Sequence, residues 1–136
     1  MSNTSQTSIL FVCRHNSFRS QIAQTLANKI GGGKVQAYSA GVEPTEVPQA
    51  IQDWAKAISD SNNLKSQPLE NYTGQRFDFV ITLCDKSHAP LTELNTDTQH
   101  IRWDFHHPDN PESLSHLEIE IAERLRLMFL ANGIIN

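Results

Sequence analysis

The sequence predicts an α/β fold: a single domain with a four-stranded parallel sheet, helices on both faces, and an anion-binding loop after the first strand. Short apolar runs of strand length alternate with stretches whose apolar residues recur at helical spacing. The 136 residues suffice for one core and are too few to divide comfortably into two. A composition of 38% hydrophobic and 19% charged residues suits a globular protein and argues against disorder. Strands alternating with helices imply a parallel sheet, and right-handed crossovers leave it few topologies.

The run Ile9-Leu10-Phe11-Val12 has the pattern of a central strand covered on both faces. From Ser20 the apolar positions Ile22, Ala23, Leu26, Ala27 and Ile30 predict a helix, stopped by Gly31-Gly32-Gly33. Val35 through Ala40 reads as a second strand, closed by Gly41 and the turn-prone Glu43-Pro44-Thr45. A second helix begins near Pro48 and uses Ala50, Ile51, Trp54, Ala55 and Ile58 as its buried face, ending in the loop composition of 59–63. Residues 64–75 fit no element clearly. Phe77 through Leu83 reads as a third strand, with Cys84 just past its end. His100 through Trp103 is a short fourth strand, 104–111 a loop, and 114–131 a long amphipathic helix. Residues 1–7 are taken as a polar leader and 8–136 as the domain.

A net charge of −4 offers no basic face for a nucleic-acid backbone. No apolar run approaches membrane-spanning length. The polar start lacks the build of a secretory signal, so a cytoplasmic address is expected. Two cysteines in such a chain more often mean a reactive thiol or a small buried side chain than a structural disulfide.

In a parallel sheet ligands bind beyond the carboxyl ends of the strands, where Cys13, Cys84 and the 104–111 loop fall. The strand-to-helix loop Cys13-Arg14-His15-Asn16-Ser17-Phe18-Arg19-Ser20 has the chemistry of a tetrahedral-anion cradle. Its backbone N–H groups and the helix N-terminus behind them favour negative charge. Arg19 adds a guanidinium fork for two equatorial oxygens, a geometry that lysine does not reproduce. Asn16 tolerates a left-handed backbone. The same positive surroundings favour thiolate over thiol at Cys13, and the hydroxyls of Ser17 or Ser20 can donate to the sulfur. Nucleophile and receptor then coincide, so Cys13 can attack the bound centre in line. The plainer alternative is a buried cysteine ending a strand, with Arg19 an ordinary surface residue.

Cys13 through Ser20, with the order cysteine, five residues, arginine, serine, resembles the active loop of the low-molecular-weight protein tyrosine phosphatase superfamily. Ser39-Ala40-Gly41-Val42-Glu43-Pro44, Phe77 through Asp85 and Trp103 through Pro108 extend the resemblance along nearly the whole chain. Within that superfamily the chain is most similar to the arsenate reductases, with which Ser17, Ser20 and Gln21 agree. The resemblance implies a phosphatase-type anion loop in which Cys13 is the nucleophile and Arg19 and Ser20 assist it. Arg14, His15, Asn16, Ser17 and Phe18 would contact substrate, either a small oxyanion or a phosphotyrosine. Cys84 stands where such enzymes carry a resolving thiol. Neighbouring strands lie about 4.8 Å apart and disulfides need Cα atoms about 4.4 to 6.8 Å apart, so that role is geometrically open. Its alternative is a small apolar residue capping a strand.

Three departures from the family pattern matter. No third cysteine exists, Ala89 standing before Pro90 where thioredoxin-coupled members carry it. Regeneration would therefore use an external thiol, glutathione with glutaredoxin, or thioredoxin as a protein partner, and no bound cofactor is expected. His107 stands directly before Pro108 where the family usually has the aspartate that acts as general acid, leaving His107, Asp104 or Asp109 for that work. Phe18 replaces a second loop cysteine and either lines the pocket or packs under the helix start. His106 and His107 lack nearby ligand spacing, and no metal site is expected. The readings that remain are an arsenate reductase, an aryl phosphatase, and an oxyanion-binding module without turnover.

Overall fold

Among the described residues the elements are β1 (Thr7–Cys13), α1 (Arg19–Gly31), β2 (Val35–Gly41), α2 (Gln49–Ser59), β3 (Phe79–Thr82), β4 (Gln99–Arg102) and α3 (Pro111–Ala131). One-turn 3₁₀ helices lie at Gly32–Lys34 and Leu69–Tyr72. The structure, a computed structural model, describes residues 6–13, 18–59, 64–72, 74–83, 99–103 and 111–135, without the side chains at 59, 99 and 111–114.

The four strands are parallel in the order β2-β1-β3-β4. β1 pairs along its length with β2, Thr7 opposite Val35 and Cys13 opposite Gly41, and on its other side with β3, Ile9 opposite Phe79 and Val12 opposite Thr82. Because β2 and β3 leave on opposite sides of β1, the strand order reverses there. In open parallel sheets that reversal opens a crevice beyond the carboxyl end of the strand. Cys13 is the last residue of β1.

The period-two alternation of a strand divides β1 between two cores. Ile9, Phe11 and Cys13 join the larger cluster, into which α1, α2 and α3 send residues such as Ile22, Ile51, Leu125 and Phe129. Leu10 and Val12 turn to the other face, with Ala40, Phe77 and Val80, partly covered by Leu69 and Tyr72 of the 3₁₀ turn. Burial on both faces explains why β1 reads as unbroken apolar sequence. Phe129 is fully buried where α3 meets α1. Phe129→Ala is expected to cost about 3–5 kcal/mol of stability, checked by urea unfolding.

Several element boundaries differ from the sequence expectation for physical reasons. The third strand was expected from Phe77 to Leu83 but runs from Phe79 to Thr82. Phe77 instead packs edge-on against Tyr38 and Tyr72, at centroid distances of 5.6 and 5.7 Å. Asp78 joins the start of β1: its N–H donates to Ser8 O at 2.9 Å, and its carboxylate accepts from Ser8 N–H at 2.9 Å. Ala50 is exposed, not on the buried face of α2 as expected. α3 begins at Pro111, where proline is preorganised for a first helical turn, three residues before the expected start.

The glycine stop after α1 divides its work. Gly31 is still helical, and a Cβ there would lie 2.4 Å from Val35 Cγ2, so the turn into β2 requires its bareness. Gly32 adopts φ +58°, the left-handed backbone that ends the helix.

The ambiguous stretch before β3 also has structure. Gln52 of α2 clamps Leu64 at both ends, its amide N donating to Leu64 O at 2.7 Å and its amide O accepting from Leu64 N–H at 2.9 Å. Gln67 O accepts from Gly41 N–H at 2.8 Å, and Pro68 forms a parallel bridge with Gly41. The segment thus runs beside the carboxyl end of β2. Burial, and secondarily the charge that Tyr38 would carry, raise the Tyr72 hydroxyl above its ordinary pKa of 10.0. The unfolded chain therefore loses this proton first. Its stabilising contribution is full below pH 10.0 and is expected to fall as pH rises through the elevated value, a loss that Tyr72→Phe should diminish in alkaline denaturation curves.

Candidate active site

The side chain at Cys13 faces α1 because it shares the strand parity of Ile9 and Phe11. It is 2% exposed, and its Sγ lies 2.9 Å from Ser20 Oγ, which is itself fully buried. A hydroxyl in that position donates to a thiolate, and hydrogen bonds to charged groups are the stronger kind. Arg19 and Ser20 are the first two residues of α1, whose first turn contains no acidic side chain. The positive end of the helix dipole therefore meets the Cys13 sulfur without a competing carboxylate. Phe18, the residue before the helix, is half-buried and packs against the main core, and its carbonyl accepts the first helical hydrogen bond from Ile22 N–H at 3.0 Å.

Backbone contacts from both neighbouring strands hold Cys13 in place. Val42 N–H donates to Cys13 O at 3.3 Å, and Leu83 N–H donates to Val12 O at 2.8 Å. Leu83 is the last described residue before Cys84. Trp103 N–H continues the pattern, donating to Thr82 O at 2.7 Å, so the chain segments that lead toward 84 and 104 both depart from this edge.

Among the residues singled out from sequence, the structure brings Ser20 to Cys13 and packs Phe18 against the core cluster that holds Cys13, with Arg19 the first residue of α1. Arg14, His15, Asn16, Ser17, Cys84 and His107 lie outside the described residues, as do Asp104, His106 and Asp109. Among the described residues no group of three or more His, Cys, Asp or Glu could hold a metal ion. No helix there is long and apolar enough to cross a membrane.

Two supporting features were not legible as such. Gln21 is buried beside Ser20, and its side-chain amide donates to Lys65 O at 3.0 Å, tying the start of α1 to the 64–68 segment. Its neighbours in sequence carry no sign of that distant partner. Trp103 packs its ring on Phe11, two residues before Cys13, at 6.5 Å, and Arg124 of α3 lies 5.7 Å from the centroid of the Trp103 ring. That cation–π contact joins residues 21 positions apart and leaves no mark in local pattern.

The Ser20 contact carries a testable consequence. Alkylation of a cysteine proceeds through its thiolate, and a hydroxyl 2.9 Å from the sulfur stabilises that form by about 1.5–3 kcal/mol, a contribution that Ser20→Ala removes. The rate constant for alkylation of Cys13 by iodoacetamide at neutral pH is expected to fall at least about tenfold. Unfolding curves should show that the variant remains folded.

The curated glutaredoxin arsenate reductase of Synechocystis sp. is 34% identical over 102 residues, covering 74% of this chain and 78% of its own. An arsenate reductase of Bacillus cereus is 32% identical over 121 residues, covering 87% of this chain and 90% of its own. The crystal structure of arsenate reductase from Archaeoglobus fulgidus superposes with a TM-score of 0.75 at 27% identity, covering 88% of this chain and 97% of that one. Residues 8–120 match the low molecular weight phosphotyrosine protein phosphatase family, and with its cysteine at the end of β1 and its serine at the start of α1, this chain belongs to that family.

Proposed function

We propose that this chain is a thiol-dependent arsenate reductase with Cys13 as its nucleophile. The observation that carries the reading is the buried Cys13 Sγ, 2.9 Å from Ser20 Oγ at the positive end of α1, in a chain whose relatives are arsenate reductases. In the first step the Cys13 thiolate attacks arsenic(V) of bound arsenate, a sulfur–arsenic bond forms, and an arsenate oxygen departs as water after protonation. The cradle formed by Arg14, His15, Asn16, Ser17 and Phe18, with the Arg19 fork, holds the equatorial oxygens.

In the second step the Cys84 thiolate attacks Cys13 sulfur. The sulfur–arsenic bond breaks with its electron pair passing to arsenic, arsenite leaves, and a Cys13–Cys84 disulfide remains. Two electrons from an external thiol restore the enzyme. Glutathione with glutaredoxin fits the absence of a third cysteine and the name of the Synechocystis relative; thioredoxin is the other candidate donor. The reducing cytoplasm is the compartment in which such a cycle runs.

Mass spectrometry of the reduced protein after exposure to arsenate tests the scheme. The expected product is an internal Cys13–Cys84 disulfide, formed in step with arsenite and absent from both Cys13→Ser and Cys84→Ser. Arsenite release without that disulfide would remove Cys84 from the mechanism.

The family match also supports a second reading, hydrolysis of aryl phosphates with His107, Asp104 or Asp109 as acid and base. Release of a chromogenic phenol that is lost in Cys13→Ser and retained in Cys84→Ser would favour it. Phosphate or arsenate binding with neither reaction would leave an oxyanion-binding module.

A further inference from the structure

The large hydrophobic side chains that stand exposed among the described residues all lie on α3: Ile119 at 60%, Leu127 at 66% and Leu130 at 50%. At 100° per residue, Ile119, Leu130, Glu123, His116 and Leu127 fall within about an 80° strip of the helix. The strip lies opposite the side that buries Leu117, Ile121, Leu125 and Phe129 in the core. An amphipathic helix docked on a core normally presents charge on its outer face, and this second apolar strip joins neither core cluster of the described residues.

We propose that the outer face of α3 is a self-complementary docking surface that seats a second copy of this chain, antiparallel, about a two-fold axis near Arg124 and Leu125. In that register Ile119 comes level with Leu130 of the second copy, and Glu123 with Arg126, each pair occurring twice by symmetry. The charge pattern selects this occupant. Glu123 sits within the apolar strip between Ile119 and Leu127, so any partner covering it must supply a cation there, and the two-fold supplies Arg126. An anionic lipid surface does not fit, because glutamates outnumber arginines on α3 and no lysine is present. From Ile119 to Leu130 the contact spans only about 16 Å of helix, so the dimer is weak and concentration-dependent. Cys13, at the carboxyl edge of the sheet, plays no part in it.

Sedimentation velocity of the full chain from about 5 µM to about 500 µM tests the proposal. The expected result is a rise in weight-average mass toward twice the monomer. Leu127→Glu is expected to hold the protein monomeric throughout. Glu123→Arg and Arg126→Glu are each expected to weaken association at least about tenfold by setting like charges opposite one another. Mixing these two variants in equal amounts should restore association, because each then supplies the charge the other lacks. All three positions are exposed, and circular dichroism should show unchanged helix content. A wild-type monomer across the range, a dimer indifferent to Leu127→Glu, or a mixture no better than its components would overturn the proposal.

Discussion

Replacing Cys13 by serine is expected to abolish arsenate reduction, with kcat/KM falling at least about 10⁴-fold, the scale on which loss of a covalent nucleophile registers. A serine hydroxyl is nearly isosteric with the thiol but is neither ionised at neutral pH nor able to form the disulfide that completes the cycle. Cys13 is buried at the end of β1, between Gly41 of β2 and the end of β3, so the substitution should leave the sheet intact. Calorimetry with arsenate or phosphate then separates the roles. Binding should persist in Cys13→Ser, because the proposed cradle draws on backbone N–H groups, Arg19 and the start of α1 rather than on the sulfur.

The second large effect is expected at Arg19. Arg19→Lys keeps the positive charge at the start of α1 but removes the planar fork that can donate to two oxygens at once. A drop in kcat/KM of about 10²–10³ is expected, the loss associated with removing a preorganised donor to developing charge. Most of it should appear in kcat if the fork engages the five-coordinate state more strongly than bound arsenate. An equal loss spread into KM alone would make Arg19 a ground-state binder. Steady-state arsenite formation at several arsenate concentrations distinguishes the two.

The pairing of Cys13 with the start of α1 was legible in the sequence because β1 carries an unusually complete signal. Continuous burial makes Ile9 through Val12 apolar at every position, and the strand stops at a cysteine shortly before a helix begins at arginine and serine. Strand parity then points Cys13 toward α1, where Ser20 meets it. The elements read least well owe their conformation to partners far away in sequence. Phe77 has the residue type of a strand but leaves it to pack with Tyr38 and Tyr72. The 64–68 segment is polar and nondescript, and it is held by Gln21, Gln52 and Gly41. Arg124 over Trp103 is likewise a tertiary contact between two residues that are each unremarkable in local pattern.

The core packing and the site are linked through β1. Phe11 meets Trp103 in a tilted ring contact on the same face as Cys13, and α1 both buries Ile22 and Leu26 against that face and presents Ser20 to the sulfur. Loss of packing at this face should therefore misplace the nucleophile relative to the helix start before it unfolds the protein, since displacements near 1 Å are costly to oriented reactions.

The most direct test of the central claim is quantitation of arsenite formed from arsenate by the purified, reduced protein supplied with glutathione and glutaredoxin, alongside Cys13→Ser. Sustained arsenite formation by the wild type and none by the variant is the predicted result. Hydrolysis of an aryl phosphate by the same reduced preparation, with no arsenite formed under either glutaredoxin or thioredoxin, would contradict it.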